Sequence, residues 1–145
     1  MWIDRLTSSR TISAIELAAQ FAEQRQRVLA ENLANIDTPD YHTQRLDPET
    51  FQVSLREALD QAEEKGAGRL ELRDNAQFST GADGALRVQP TRTPASNVLF
   101  HDGTNVRLEQ LLSDVTANSL SYELSTSLLK DKLDGLLAAI RGRVT

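Results

Sequence analysis

The feature that most constrains this chain is a seven-residue apolar repeat near its C-terminal end. Leu108, Val115, Tyr122, Leu129 and Leu136 recur every seven residues, and Leu111, Leu112, Leu133 and Ile140 widen the same face. A repeat sustained this long is the pattern of a coiled-coil seam. A helix over residues 106–141 would be roughly 50 Å long at about 1.5 Å per residue, and such a rod cannot curl into a globule by itself. Gly135 is its weak point, costing up to about 1 kcal/mol relative to alanine. The same helix also carries a second apolar side. At about 100° per residue, Leu120, Leu124 and Leu128 fall opposite Tyr122 and Leu129, with Val106 and Ala117 beside them. A helix with two apolar faces must bury both. Two occupants fit the second face: the middle of the chain folded back, or another subunit.

The other end has a matching stripe. Ile12, Ile15, Ala19, Ala22, Gln26, Leu29, Leu33 and Ile36 alternate steps of three and four, with Gln26 as the one polar break. Neither Gly nor Pro interrupts residues 3–38. Ser8, Ser9 or Thr11 suits the cap. Pro39 disfavours helical geometry at Thr38, so the helix is expected to stop just before it.

Charge divides the chain the same way. The net charge of −5 lies wholly in residues 37–105, with seven basic and twelve acidic side chains, while both ends are neutral. That middle also holds all four prolines and five of the seven glycines. Asp47-Pro48-Glu49 starts a short helix over about residues 48–64, with Phe51, Leu55, Leu59 and Ala62 on one face and Lys65-Gly66 as its end. Residues 69–73 alternate leucine with charge, as a half-buried strand does. Asp83-Gly84 fits a tight turn into residues 85–88. The expected architecture is mainly α. Long N- and C-terminal helices (residues 1–38 and 106–145) form a coiled-coil hairpin around an irregular middle (residues 39–105) holding a short helix and a small β-hairpin.

Several function classes drop out. The acidic balance opposes a nucleic-acid or anionic-membrane binder. With no cysteine, thiolate metal sites and cysteine nucleophiles are excluded. His42 and His101 are too few for a histidine-based zinc or catalytic centre. Neither a phosphate loop nor a nucleophile elbow is present. Asp37 and Asp40 flank Thr38-Pro39 as turn residues do, and His101-Asp102-Gly103 reads as a turn before the long helix. No catalytic residue, cofactor or metal site is therefore expected. The first residues lack the basic start and apolar core of a secretory signal, and residues 136–140, the longest apolar run, are far too short to span a membrane. Work outside the cytoplasm would need a route other than a cleaved signal peptide. Asn32 lies beside the first stripe and Asn118 in the second seam. A buried asparagine there costs stability unless satisfied, yet it can fix register and partner. Tyr122, one turn past Asn118, offers apolar area and a hydroxyl.

The stretch Arg27-Val28-Leu29-Ala30-Glu31-Asn32-Leu33-Ala34-Asn35-Ile36-Asp37-Thr38-Pro39-Asp40-Tyr41 resembles the N-terminal signature of bacterial flagellar axial rod and hook proteins. In that family a helix runs through an Asn-x-x-Asn pair and breaks at Thr-Pro-Gly-Tyr. Residues 51–59 resemble the phenylalanine-led helix that follows. Asp102-Gly103-Thr104-Asn105-Val106-Arg107-Leu108-Glu109 is similar to the Asp-Gly-Asn-Asn-Val-x-Leu-Glu start of the family's C-terminal helix. Ala117-Asn118 with Tyr122 fits its Ala-Asn-x-x-x-Tyr segment. Asp40 and Thr104 depart from the family's glycine and asparagine. The short length leaves no room for the outer domains of hook and distal-rod members.

This resemblance implies a structural subunit of the basal-body proximal rod, polymerising through its terminal helices into a torque-transmitting shaft. Its implied partners are further copies of itself, other flagellar rod proteins, basal-body ring and export-gate components, and the flagellar type III export apparatus. It implies neither nucleic acid nor membrane insertion. Asn32, Asn35, Thr38, Pro39 and Tyr41 would form an assembly motif. Ile15, Ala22, Leu29, Ile36, Leu108, Val115, Tyr122, Leu129 and Leu136 would form the helix seam, and Leu120, Leu124 and Leu128 an inter-subunit face. A soluble helical adaptor shares the seams but has no use for the Asn-x-x-Asn-x-x-Thr-Pro break. A small hydrolase would have to rely on Asp37, Asp40 or His42.

Overall fold

A computed structural model of the chain describes residues 9–92 and 108–142. Among these residues, helix α1 spans Ser9–Ala34, α2 spans Pro48–Lys65 and α3 spans Leu108–Ile140. Four short strands lie between the second and third helices or just before the second: β1 Gln44–Arg45, β2 Phe78–Thr80, β3 Leu86–Val88 and β4 Thr91–Arg92. They form two separate antiparallel pairs, β1 with β4 and β2 with β3. The fold is mainly α, with long helices toward both ends and two small strand pairs between. Residues 101–107, which include the expected turn at Asp102-Gly103 and the start of the C-terminal helix at Val106, lie outside the described residues, as does Ser8.

Helix α1 is buried from two directions. One side carries Ala22 and Leu29 toward α3; the other carries Leu17, Phe21 and Val28 into the main core. The sequence reading followed the first stripe and missed the second. Among the described residues, the middle of the chain therefore covers α1, not the second face of α3. Ser9 is not used as a cap: its hydroxyl donates to the Gly68 carbonyl (2.8 Å). Ser13 Oγ accepts from Leu70 N (3.1 Å) and Gln20 Oε1 from Leu86 N (2.7 Å). Polar residues on that side of α1 thus bind the middle through its backbone.

Three phenylalanines, one from each contributing piece, form the centre of this core. Phe21 stacks on Phe51 with ring centroids 4.2 Å apart and planes 4° from parallel. Phe78 meets both edge-on, at 5.6 and 5.8 Å. Both are favoured aromatic geometries. Leu46, Ala58, Ala62, Leu70, Leu72 and Leu86 close around them.

Helix α2 matches its expected ends. Asp47 caps it, accepting from Thr50 N (3.1 Å) and Thr50 Oγ1 (2.6 Å), and Pro48 opens the first turn. Gly66 closes it with φ +64°, its N–H returning to Ala62 and Glu63. Its buried face is Phe51, Ser54, Ala58 and Ala62; Leu55 and Leu59 sit at the margin, half-buried against the core.

The β element differs from expectation. Residues 69–73 alternate as a strand would, with Leu70 and Leu72 buried and their charged neighbours exposed, but they join no ladder. Their N–H groups go to side chains instead: Leu70 N to Ser13, Leu72 N to Thr80 Oγ1 (2.9 Å). The hairpin partner of residues 86–88 is β2, registered Phe78 to Val88 and Thr80 to Leu86. Its turn bonds Gly84 N to Gly81 O (2.8 Å) and Gly81 N to Ala85 O (2.9 Å). Gly84 has φ +79°, and a Cβ there would strike the Arg69 guanidinium, which donates to the Asp83 carbonyl.

The Asp47 cap yields a pH test. The Thr50 hydroxyl bond holds the Asp47 carboxyl below the ordinary aspartate range, against the opposing effect of burial, with the Thr50 N–H and Arg45 also lowering it. A lowered carboxylate stabilises fully above its unfolded pKa of about 4, and that contribution is lost as pH falls through the folded value. Asp47→Ala is expected to cost about 1 kcal/mol at neutral pH. In urea melts the gap between the two proteins should close as the pH is taken below about 4. A gap that stays constant with pH overturns the charge-based account of this cap.

Candidate assembly surface

The surface that matters is built where α1 ends and where α1 meets α3. The regular helix stops at Ala34, earlier than Pro39 alone requires. The ladder tightens as it ends: Ile36 N donates to Leu33 O (3.3 Å) and Thr38 N to Asn35 O (3.0 Å). Asn35 Nδ2 returns to Glu31 O (2.8 Å), competing for helix carbonyls as asparagine side chains do. Thr38 Oγ1 reaches Asn35 Oδ1 (3.4 Å). Tyr41 N then donates to Thr38 O (3.2 Å), closing a turn with Pro39 second and Asp40 third. Asp40 has φ +58°, the only positive φ of a non-glycine residue among those described. Proline followed by a positive φ is the type II arrangement, which favours glycine at the third place.

Asn32 holds this turn against the helix. It is only 3% exposed. Its Oδ1 accepts from Tyr41 Oη (2.9 Å) and Gln44 N (2.9 Å), and its Nδ2 donates to Gln44 O (2.8 Å). One side chain thus pairs with both backbone groups of Gln44, as a neighbouring strand would. Burial, and then the negative Glu31, push the Tyr41 phenol above the ordinary tyrosine range, so it stays a protonated donor. Asn32 therefore faces the loop, not the seam beside which its position in the stripe had placed it.

The α1–α3 seam is antiparallel. Leu29 packs on Leu111, with Ile36, Tyr41 and Val115 around them. Arg25 Nη2 meets Asp114 Oδ1 at 3.1 Å, the arginine largely covered. Asn118, 2% exposed, donates through Nδ2 to Ala22 O (2.9 Å) and Gln26 Oε1 (2.8 Å). Gln26, the polar break in the first stripe, is thereby the partner of Asn118. Among the expected seam residues Ala22 and Leu29 are buried; Ile15, Ile36, Val115, Leu129 and Leu136 are half-buried; Leu108 and Tyr122 stand exposed. Leu33 is exposed as well.

The far side of α3 is open. Leu120 is 63% and Leu124 61% exposed, and Leu128 is exposed beside them. Along the same stretch of helix, Thr116, Ser121, Ser125 and Thr126 return their hydroxyls to carbonyls one turn back, at 2.8–3.0 Å. Leu133, Leu137 and Ile140 are exposed as well, on the seam side of the helix toward its C-terminal end.

Asp37, Asp40 and His42 are solvent-exposed, and among the described residues no three histidines or carboxylates gather as a metal site would require. His101 lies outside the described residues. No described helix is long and apolar enough to cross a membrane.

Two substitutions test the helix end. Asn32→Ala leaves Tyr41 Oη and both backbone groups of Gln44 without their partner and is expected to cost about 2–3 kcal/mol in chemical denaturation. Asp40→Gly removes the strained positive φ and is expected to stabilise by up to about 1 kcal/mol. A destabilising Asp40→Gly would mean that the aspartate side chain offsets the backbone strain.

No family model matches the chain. Relatives nevertheless align over most of it. The flagellar basal body rod protein FlgB of Cereibacter sphaeroides (strain ATCC 17029) is 31% identical over 120 residues, covering 83% of this chain and 85% of the relative. That of Borrelia hermsii is 30% identical over 107 residues, covering 72% and 76%. That of Salmonella typhimurium is 24% identical but spans 97% of this chain and 98% of its own length.

Proposed function

Because the chain belongs to the FlgB family of flagellar basal body rod proteins, we propose that it is a structural subunit of the proximal rod, joined to its neighbours by helix-to-helix contacts. Its work is mechanical: it polymerises with copies of itself and with other rod proteins into a shaft that carries torque, without catalysis. Export through the flagellar type III apparatus, uncleaved, and contact with the ring and export-gate side of the basal body belong to the same reading.

The observation that supports it best is the open face of α3. A subunit that filled its own core with one side of its long helix needs no leucines on the other. Here Leu120, Leu124 and Leu128 lie in a row, more than two-fifths exposed, on a stretch bearing few charges. Exposed apolar surface of this kind marks an interface. One face of α3 serves its own α1 and the other a neighbour. Such a contact joins two different surfaces and propagates instead of closing as a dimer. Asn32, Asn35, Thr38, Pro39 and Tyr41 give the end of α1 a fixed shape to present to the next subunit.

Leu124→Asp tests this. The side chain is solvent-exposed in the monomer, so the variant should keep the thermal melt of the unsubstituted protein. In a strain lacking its own copy it should still be exported but fail to enter purified basal bodies, and swimming should be lost. Normal swimming with normal incorporation would remove the assignment of this face.

A further inference from the structure

We infer that the Asn118–Gln26 pair is the register determinant of the α1–α3 hairpin, selecting one helix alignment among several that the apolar seam alone permits. The inference rests on the geometry of the single chain and stands whether or not the rod reading does.

The apolar repeat does not define a register. Ile15, Ala22, Leu29 and Ile36 recur every seven residues, and so do Leu108, Val115, Tyr122, Leu129 and Leu136. Sliding α3 by one heptad along α1, about 10 Å, brings apolar residues back onto apolar residues. Residues 93–107 separate the folded middle from α3 in sequence, a connection long enough to follow such a slide. The described contacts all agree on one alignment: Leu29 on Leu111, Arg25 on Asp114, and Ala22 with Gln26 on Asn118.

Asn118 discriminates among the alternatives. In the observed register both hydrogens of its buried amide are used, one on the Ala22 carbonyl and one on Gln26 Oε1. Slid one way, Asn118 meets Ile15 and Ala19; slid the other way, Leu29 and Leu33. Neither set offers a side-chain acceptor. The carbonyl of Ile15 or Leu29 can replace that of Ala22, but the second amide hydrogen loses Gln26 Oε1, and a buried unpaired N–H is penalised, so these registers are disfavoured. Arg25 and Asp114 reinforce the choice, since a one-heptad slide sets Asp114 against Ala18 or against Asn32, whose amide is already held by Gln44. A polar seam residue lowers stability while narrowing the alignment, the attested use of such residues in coiled coils.

The chain has no cysteine, so labels can be introduced cleanly. Cysteines at Ala30 and Lys130, both exposed, carry spin labels well separated along the hairpin axis. Double electron–electron resonance on the full chain should give one distance. With Gln26→Leu and Asn118→Leu together, the melting temperature should rise, yet a second distance should appear, displaced by about 10 Å, one heptad of rise. The exchange of the pair, Gln26→Asn with Asn118→Gln, should restore the single distance. If the double leucine variant loses helix content by circular dichroism, Asn118→Leu alone is measured the same way. A single unchanged distance in the folded leucine variant overturns the inference: packing and connections would then set the register without the amides.

Discussion

Helix α1 is enclosed from two sides, and this double burial organises the rest of the structure. On one side its Phe21 completes a three-ring cluster with Phe51 and Phe78, which holds the short helix and the hairpin in place. On the other its Ala22, Gln26 and Leu29 receive α3. Because the described part of the middle packs on α1, it does not cover the far side of α3. The long helix is consequently left with one occupied side and one open one. Aromatic stacking in the core thus decides, indirectly, what the molecule presents outward.

Much of this was legible in the chain, and the misses have physical reasons. The two long helices followed from heptad spacing, and α2 from Asp47, Pro48 and Gly66, because caps and breakers act locally. The second stripe of α1 was masked by polar residues. Ser9, Ser13 and Gln20 flank Leu17 and Phe21, and only the structure reveals that they bond to the backbone of the middle. The alternation at residues 69–73 correctly marked which leucines are buried, yet side-chain hydroxyls replaced the ladder that a strand would use. Alternation reports burial, not pairing. Of the site, the Pro39 break and an asparagine at Asn32 were visible in the residues, and their grouping with Asn35, Thr38 and Tyr41 only through resemblance. Its geometry, with Asn32 folded onto Gln44 and Tyr41, was not.

Helix α3 combines leucines with hydroxyls that need no water. Thr116, Ser121, Ser125 and Thr126 each find a carbonyl within their own helix. Such residues can be dried without leaving a donor unpaired, whereas exposed lysine or glutamate in their place would carry a desolvation cost. Between residues 115 and 129 α3 carries a single charge, Glu123; its others are Glu109, Asp114 and those of residues 130–134. This composition lowers the cost of covering the open face of α3.

The separation of the two cores also has a kinetic meaning. The contacts among Phe21, Phe51 and Phe78 close loops far shorter than the one joining Ala22 to Asn118, and shorter loops lose less entropy on closing. Local contacts form sooner than distant ones. The phenylalanine body therefore assembles first, and the long C-terminal helix arrives at a surface already made. Docking comes last in time, so a change that disturbs the seam leaves the phenylalanine body already formed.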